Sequence, residues 1–537
     1  MEGRIRVSLV PVDPLWRRLS DVAAFLDVAS VESGESIRVA GIAQHSGRVR
    51  PGNIYLARPG MHAHGAGFAQ QAASAGATAA VTDEAGLAPC QAAGLSTLVV
   101  PDPGKVAGKL SAWMYGEPTN SLTMLGVTGT NGKTTTTYLL DAALSRVGHR
   151  TGLIGTVETR MAGEQLPSGR TTPEAPELQG LLAAMVQRGV DAVSMEVSSH
   201  ALDLARVDGT RFAVVGFTNL SQDHLELHGD LESYYQAKAR LFDPEFAKVG
   251  VVNVDDPYGA RLATEASERK LEIVTVSPSG AAHADWRAGE VEYGPSGSLG
   301  FDVIGPEGAA GPGLDVRIAM GLAGDFNVAN ALVAVAMLDR VGVDAASIVA
   351  AFAGVRLPGR MERILPAETE RPGQSAGRAP VNAIVDYAHT PEAIDVVLRS
   401  VRRGAPGRII AVFGSGGDRD VSKRPLMGAA VARGADVAVI TDDNPRSEDP
   451  AAIRSAVRAG ARGVRAERAH AEVMEIGDRR EAIFWAIRNA DPGDTVLVLG
   501  KGHETGQEVR GVLHPFDDRA VTASALAELA AHPEADR

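Results

Sequence analysis

The chain has 537 residues, 45% apolar and 22% charged, with a formal net charge of −13. That length exceeds a single hydrophobic core and implies two to four domains, and the acidic balance argues against a general nucleic-acid binder. The lone cysteine, Cys90, permits no internal disulfide, the N-terminus lacks a signal-peptide core, and no apolar run reaches the roughly 18 residues of a membrane span, so a cytoplasmic protein is expected.

In chain order, the first punctuation is "GEPTNSL" at 116–122, a turn-rich break. Next comes "LGVTGTNGKTTTTYLL", Leu125–Leu140. Thr123 to Thr128 is a short apolar run with a β-branched bias, which suits a buried parallel strand. The residues after Lys133 read as a helix. A glycine-rich strand-to-helix turn that ends in Gly132-Lys133-Thr134 is a phosphate cradle, because its backbone N–H groups and the helix N-terminus favour anions. The spacing is unusual. The general pattern wants a glycine five positions before Gly132, where Val127 stands, and the glycine is at 129 instead. Lys133 would reach the β- and γ-phosphates, and Thr134 would ligate Mg²⁺.

Six further runs and their polar ends follow. "DAVSMEVSSHAL" is a strand that ends at Glu196 to His200, and "FAVVGFTNLSQDHLELHG" is a strand that ends at Thr218 ahead of Asn219, Asp223, His224 and His228. "GVRLPGRMERI" is a second break, and 366–380 is a Pro/Gly-rich polar stretch that reads as a mobile loop. "VNAIVDYAHTP" is a strand that ends at Asp386, "RIIAVFGSGGDRD" one that runs into Gly414–Asp420, "VAVITDDNPR" one that runs into Asp442–Arg446, and "TVLVLGKGHE" one that runs into Gly500–Glu504. Ligands of open α/β sheets bind beyond the carboxyl ends of strands, so these polar ends imply a cleft between two α/β domains. The breaks place domains at about 1–117, 118–356 and 357–537.

"TGTNGKTTT", "MEVSSHAL", "FTNLSQDHLELHG", "YYQAKARLF", "GDFNVANALVA", "PGRMERI", "DYAHTP", "GSGGDRD", "DDNPR" and "GKGHE" occur in one order. Together they resemble the Mur ligase family, ATP-dependent amide-forming enzymes of peptidoglycan synthesis. The glycine at 129 is that family's form of the loop. The resemblance spans roughly residues 40–520 and is weaker in the first third. It implies an α/β protein of three domains: an N-terminal domain that holds the UDP end, a central ATPase-type domain with a parallel or mixed sheet, and a C-terminal Rossmann-like domain that receives the amino acid. "DDNPR" with "GKGHE" resembles the members that add meso-2,6-diaminopimelate to UDP-N-acetylmuramoyl-L-alanyl-D-glutamate. A monomer is expected.

The resemblance also implies roles for single residues. ATP would be held by Gly129, Thr130, Asn131, Gly132, Lys133, Thr134 and Thr135, with Asn327 and Asn330 on the adenine side and Asp386 at the ribose. Arg360 would meet the γ-phosphate. Thr134, Glu196 and His224 would form the Mg²⁺ group, and Lys238 would be a carbamylated lysine beside a second Mg²⁺. The physical logic is that an ammonium beside Mg²⁺ is repelled and driven neutral, whereas a carbamate is anionic. Without the resemblance Lys238 reads as a solvated helix lysine, Arg360 as a surface arginine, and Asn327, Asn330 and Asp386 equally as helix caps. His200 and His228 are read as structural. The UDP-muramoyl-dipeptide would meet Ser46, Thr171, Thr172, Ser198 and Arg206. Here the chain departs from the family: His45-Ser46-Gly47 stands where Asp-Ser-Arg is common, and Leu204 where a glutamine can occur. Diaminopimelate would meet Arg419, Asp443, Asn444, Pro445, Arg446, Gly500 and Glu504. Arg446 would take the distal carboxylate and Glu504 the distal ammonium. Competing readings are the L-lysine-adding members, a folylpolyglutamate synthase, which should lack "DDNPR" and "GKGHE", and a P-loop switch protein, which needs no amino-acid pocket.

Overall fold

The computed structural model describes residues 10–29, 31, 34–60, 62–166, 169–223, 225–293, 298–306, 315–322, 324–366, 381–464 and 471–531. Beyond its first residue, the 366–380 stretch lies outside them. The chain separates into two compact units. One comprises 1–289, 303–316 and 329–351, and the other 290–302, 317–328 and 352–537.

The first unit holds two large sheets with separate cores. Near the N-terminus four parallel strands pair in chain order, Ile42–Ala43, Ile54–Ala57, Ala79–Thr82 and Ser96–Val99. Side-chain alternation sends Ile54 and Leu56 into one apolar cluster and Tyr55 and Ala57 into another, so both faces are covered. In the second sheet the strands Thr151–Ile154, Ala192–Glu196, Thr123–Thr128, Phe212–Phe217, Ala247–Asn253 and Glu272–Ser277 are neighbours in that order, all parallel. The antiparallel strands Thr159–Met161 and Glu164–Leu166 extend one edge, so the sheet is mixed. Register positions the chemistry. Glu196 pairs with Val127 and Phe217 with Thr128, so the carboxyl ends of three adjacent strands lie side by side.

The second unit is a six-stranded sheet in the order Glu362–Ile364, Asn382–Asp386, Thr495–Leu499, Ile409–Phe413, Val437–Ile440, Glu472–Glu475. Its first pair is antiparallel and the rest are parallel. Helices Pro391–Gly404, Lys423–Gly434, Pro450–Gly463, Arg479–Arg488 and Asp518–Ala531 follow the strands. Three of these start on a side-chain cap, from Thr390, Asp449 or Asp478. Ile409, Ala411 and Phe413 belong to one apolar cluster, and Ile410 and Val412 to the other. A strand buried on both faces reads as a continuous apolar run, as "IIAVF" does. This is a doubly wound, Rossmann-like sheet. Its three large sheets give the protein the three-domain α/β organisation expected from its sequence.

Candidate functional site

The phosphate loop joins strand Thr123–Thr128 to helix Lys133–Arg146. Gly129 has φ +150, and a Cβ there would lie 2.0 Å from Thr218 Oγ1. Gly132 has φ +90, and its Cβ would lie 2.0 Å from Asn330 Oδ1. Both positions therefore exclude a side chain. The loop is lashed to the end of the next strand: Thr130 N donates to Asn219 O at 2.8 Å, Asn131 N to Asn219 Oδ1 at 3.0 Å, and Thr218 Oγ1 to Asn131 O at 2.5 Å. Lys133 Nζ donates to the carbonyls of Gly129 at 2.9 Å and Thr130 at 2.8 Å. Thr135 is buried on the first turn of the helix.

Lys238 is not the solvated lysine that its helix position suggests. It is 1% exposed, and its Nζ donates to the same Gly129 carbonyl at 2.8 Å and lies 4.4 Å from the centroid of the Tyr234 ring. Burial drives its pKa well below the usual lysine range, and the nearby charge of Lys133 adds to this. Two lysines thus converge on one carbonyl oxygen.

Glu196 is 1% exposed at its strand end. Its Oε1 accepts from Thr134 Oγ1 and from Thr156 N, both at 2.9 Å, and its Oε2 accepts from Thr156 Oγ1 at 3.0 Å. Thr156 Oγ1 also meets Thr171 Oγ1 at 2.9 Å. Thr172 Oγ1 donates to Glu196 O at 2.8 Å and accepts from Ser198 N at 3.1 Å. Arg206 pairs with Glu174 at 2.8 Å and reaches Thr172 O. The structure therefore brings Thr134, Glu196, Thr171, Thr172, Ser198 and Arg206 into one chain of contacts. His224 lies outside the described residues. His228 meets Ser199 Oγ at 3.1 Å and packs against the rings of Tyr234 and His200, a structural setting.

A cavity of about 830 Å³ opens against the N-terminal sheet. Gln44, His45, Gly47, Arg48, Asn53 and Arg170 are among its lining residues. Ser46 is not. Its hydroxyl turns into the domain and donates to Gln71 Oε1 at 2.9 Å.

In the second unit Asp386 is buried at its strand end, where burial raises its carboxyl pKa against the opposing charge of Arg360. Its Oδ2 accepts from Met361 N and its Oδ1 from Ala388 N, both at 2.8 Å, so the carboxylate braces the backbone beside Arg360. The Arg360 guanidinium lies 4.3 Å from the centroid of the Tyr387 ring, and its Nε is buried without a hydrogen-bond partner. His503, whose ring centroid lies 5.2 Å from that of Tyr387, has its pKa pushed down to about 4 by burial and then by Arg360. Asn327 is buried in the first turn of helix Phe326–Arg340.

The "DDNPR" and "GKGHE" loops form one cluster. Gly500 has φ +115, and a Cβ there would lie 2.6 Å from Asp443 Oδ2. Asn444 Nδ2 donates to Glu504 Oε2 at 2.9 Å. Arg446 Nη1 donates to Gly417 O at 2.6 Å, and its Nε lies 3.5 Å from Glu508 Oε2. Gly417 N in turn donates to Asn444 O at 2.9 Å, and Pro445 O accepts from Glu448 N at 3.0 Å. Arg419 follows Asp418, which accepts from Ser447 Oγ at 2.7 Å, so the "GDRD" loop is fastened to "DDNPR". Gly500 N donates to Asp386 O at 3.1 Å, which joins this cluster to the Asp386 strand end.

Motif reading missed several of these participants. Thr156 has no motif around it. Lys501 stands inside "GKGHE", yet only its burial marks it out. Hairpin Gly506–Val509 and Val512–Pro515 lies about 60 residues beyond the loop that it braces. His45 and Arg48 flank Ser46, the residue that the pattern singles out.

Residues 127–338 match the Mur ligase middle domain, and 359–502 match the Mur ligase glutamate ligase domain. The UDP-N-acetylmuramoyl-L-alanyl-D-glutamate–2,6-diaminopimelate ligase of Streptomyces coelicolor is 50% identical over 526 residues, 97% of each chain. The ligase of that name from Corynebacterium glutamicum is 46% identical over 481 residues, covering 88% of this chain and 89% of that one. A solved structure of a ligase of that name superposes with a TM-score of 0.67 at 31% identity, over 96% of this chain and 99% of that one. A folylpolyglutamate synthase from Mycobacterium tuberculosis complexed with ADP shares the fold at 20% identity, with a TM-score of 0.58 over 75% of this chain. With the shifted-glycine phosphate loop, the buried lysine above it and full-length relatives at such identity, the chain belongs to the Mur ligase family.

Proposed function

We propose that this chain is an ATP-dependent ligase that joins meso-2,6-diaminopimelate to UDP-N-acetylmuramoyl-L-alanyl-D-glutamate in peptidoglycan precursor synthesis. The observation that carries this reading is the near-full-length identity to ligases of that name. The glutamate γ-carboxylate attacks the γ-phosphorus of ATP, ADP leaves, and an acyl phosphate forms. The amino group of diaminopimelate then adds to the acyl carbon, the nitrogen loses a proton, and phosphate departs to leave an amide. A carboxylate that approaches a phosphate needs cations around it. Lys133 supplies one. A polyphosphate offers it charged acceptors in place of the two carbonyls that it now holds. The family resemblance implies a γ-phosphate contact for Arg360, whose Nε is buried without a hydrogen-bond partner among the described residues.

The donor set suits Mg²⁺. The Thr134 hydroxyl and the Glu196 carboxylate are hard oxygen donors 2.9 Å apart, and Thr156 orients the carboxylate. When bound, the ion would neutralise phosphate oxygens. Among the described residues no set of three or more His, Cys, Asp or Glu side chains gathers as a metal site. Burial holds Lys238 toward its neutral amine, the form that adds to CO₂. The nitrogen lone pair attacks the carbon, one C–O π pair moves to oxygen, and the nitrogen releases a proton to leave an anionic carbamate. A cytoplasmic monomer fits these substrates, and among the described residues no helix is long and apolar enough to cross a membrane.

The test is a product assay with UDP-N-acetylmuramoyl-dipeptide, ATP and Mg²⁺, with meso-diaminopimelate and L-lysine offered in parallel. The expected result is tripeptide and ADP with diaminopimelate only. ADP release that needs no amino acid, or equal use of lysine, refutes the reading.

A further inference from the structure

Lys501 is among the largest fully buried side chains of the chain, at 0% exposure. A buried ammonium is costly unless it is paired and hydrogen-bonded, and an apolar side chain of similar length would fill the same space at lower cost. The other fully buried cation of this region, Arg479, is occupied by Asp518, on which it makes two bonds of 2.8 and 2.7 Å. Lys501 turns into the amino-acid cluster instead. Its Nζ donates to Asn444 Oδ1 at 3.0 Å and lies 3.1 Å from Glu504 Oε2.

The three side chains close a ring. Asn444 Nδ2 donates to Glu504 Oε2 at 2.9 Å, and Asn444 Oδ1 also accepts from Glu508 N at 3.0 Å. The Asn444 amide is thus fixed at both ends. Among the described residues both donors to the Glu504 side chain fall on Oε2. Glu504 is 34% exposed, so without these bonds its three rotatable bonds would be free. The main chain agrees, for Glu504 N donates to Lys501 O at 3.0 Å and closes the turn that presents both residues.

We propose that Lys501 is a positioning residue that fixes the Glu504 carboxylate and the Asn444 amide for the ammonium of the amino-acid substrate. This rests on the reading of Glu504 as the partner of that ammonium. A pre-set acceptor spares the ordering cost at binding, so the effect belongs to recognition of the amino acid and not to ATP or the dipeptide.

The experiment is steady-state kinetics with meso-diaminopimelate on the wild type, Lys501→Met, Glu504→Gln and the double variant Lys501→Met/Glu504→Gln, with thermal melts of each. Lys501→Met is expected to raise KM for diaminopimelate at least about 30-fold, roughly 2 kcal/mol. Its KM values for ATP and the dipeptide should stay within about twofold. The double variant, which removes both charges, is expected to be no worse than Glu504→Gln alone. Three KM values that rise together, an unchanged diaminopimelate KM, or losses that simply add in the double variant would each overturn the proposal. Wild-type turnover with diaminopimelate is the separate check on the function itself. A wild type that ignores diaminopimelate removes that reading, whereas the outcomes above remove only the role of Lys501.

Discussion

Replacing Arg446 tests the amino-acid assignment most sharply. Arg446 has φ +52, a left-handed conformation that costs an L-residue roughly 1–2 kcal/mol. The hairpin holds it there, with Arg446 N donating to Glu508 O at 3.0 Å and Arg510 N donating to Arg446 O at 2.6 Å. Strain kept at one residue by outside bonds is a reason to look for function there. The side chain is 22% exposed, and Nη1 and Nε are engaged by Gly417 and Glu508. A carboxylate gripped by the guanidinium fork gains about 1.5–3 kcal/mol per charged hydrogen bond, less what is lost from the present partners. A net of about 2.7 kcal/mol remains, so Arg446→Ala should lower kcat/KM for meso-diaminopimelate by about 100-fold. L-lysine has no distal carboxylate to lose, so any residual turnover of it at high concentration should change by less than about threefold. Arg446→Gly separates backbone from charge. It relieves the left-handed strain, so it should melt no lower than Arg446→Ala yet be equally poor with diaminopimelate. Arg446→Lys keeps the charge but loses the fork and should fall between wild type and Arg446→Ala. Parallel losses with both amino acids, or an alanine variant within tenfold of wild type, would refute the reasoning.

Other substitutions probe the first unit and the Tyr387 stack. Lys238→Ala should lower kcat by at least about 100-fold. Short carboxylic acids should restore part of the activity by replacing the missing carbamate, and a variant with half its activity left would exclude that role. Thr156→Val removes one donor from Glu196 Oε2 and should raise the Mg²⁺ concentration for half-maximal rate by about 10-fold or more; an unchanged Mg²⁺ titration would count against it. His503 has its pKa depressed to about 4 from 6.5, so the folded state binds fewer protons between those values and stability falls as pH drops through that window. At pH 5 the loss is on the order of 2 kcal/mol, and His503→Asn should flatten the difference between urea midpoints at pH 7.5 and pH 5. Identical slopes in both proteins would show that His503 is not the group responsible.

What the sequence reveals follows from how local each signal is. Strand Thr123–Thr128 and the strand end at Asp386 are legible because a doubly buried strand is an apolar run with a polar stop. The glycines at 129 and 132 are legible because close backbone approach leaves only glycine possible. Contacts over long separations leave no such trace. Thr156 reaches Glu196 across 40 residues, and Gln507 Nε2 donates to Asp443 O at 2.7 Å across 64. No periodicity marks either threonine or glutamine. Ser46 shows the converse limit. A short motif says which residues are present, but the 3-10 turn Ser46–Arg48 decides which of them faces the cavity, and it points Ser46 toward Gln71.

Lys238 shows the same limit in its strongest form. On its own helix it is one lysine in "YYQAKARLF", and helical spacing gives it no reason to be buried. Strand order supplies the reason. The strand that ends at Phe217 lies beside the one that ends at Thr128, and the helix that follows the first carries Lys238 over the loop that follows the second. The Nζ atoms of Lys133 and Lys238 then share one acceptor, Gly129 O, at 2.9 and 2.8 Å. Two charged ammonium groups on a single carbonyl would repel one another in a setting with little water to screen them, so burial and this repulsion together hold Lys238 toward its neutral form. The arrangement becomes favourable if one lysine is neutral or anionic and the other meets a phosphate, the pair of states that the proposed chemistry requires. The placement of the two lysines in space, and not their spacing in the chain, would thus tie the proposed carbamate to phosphate binding.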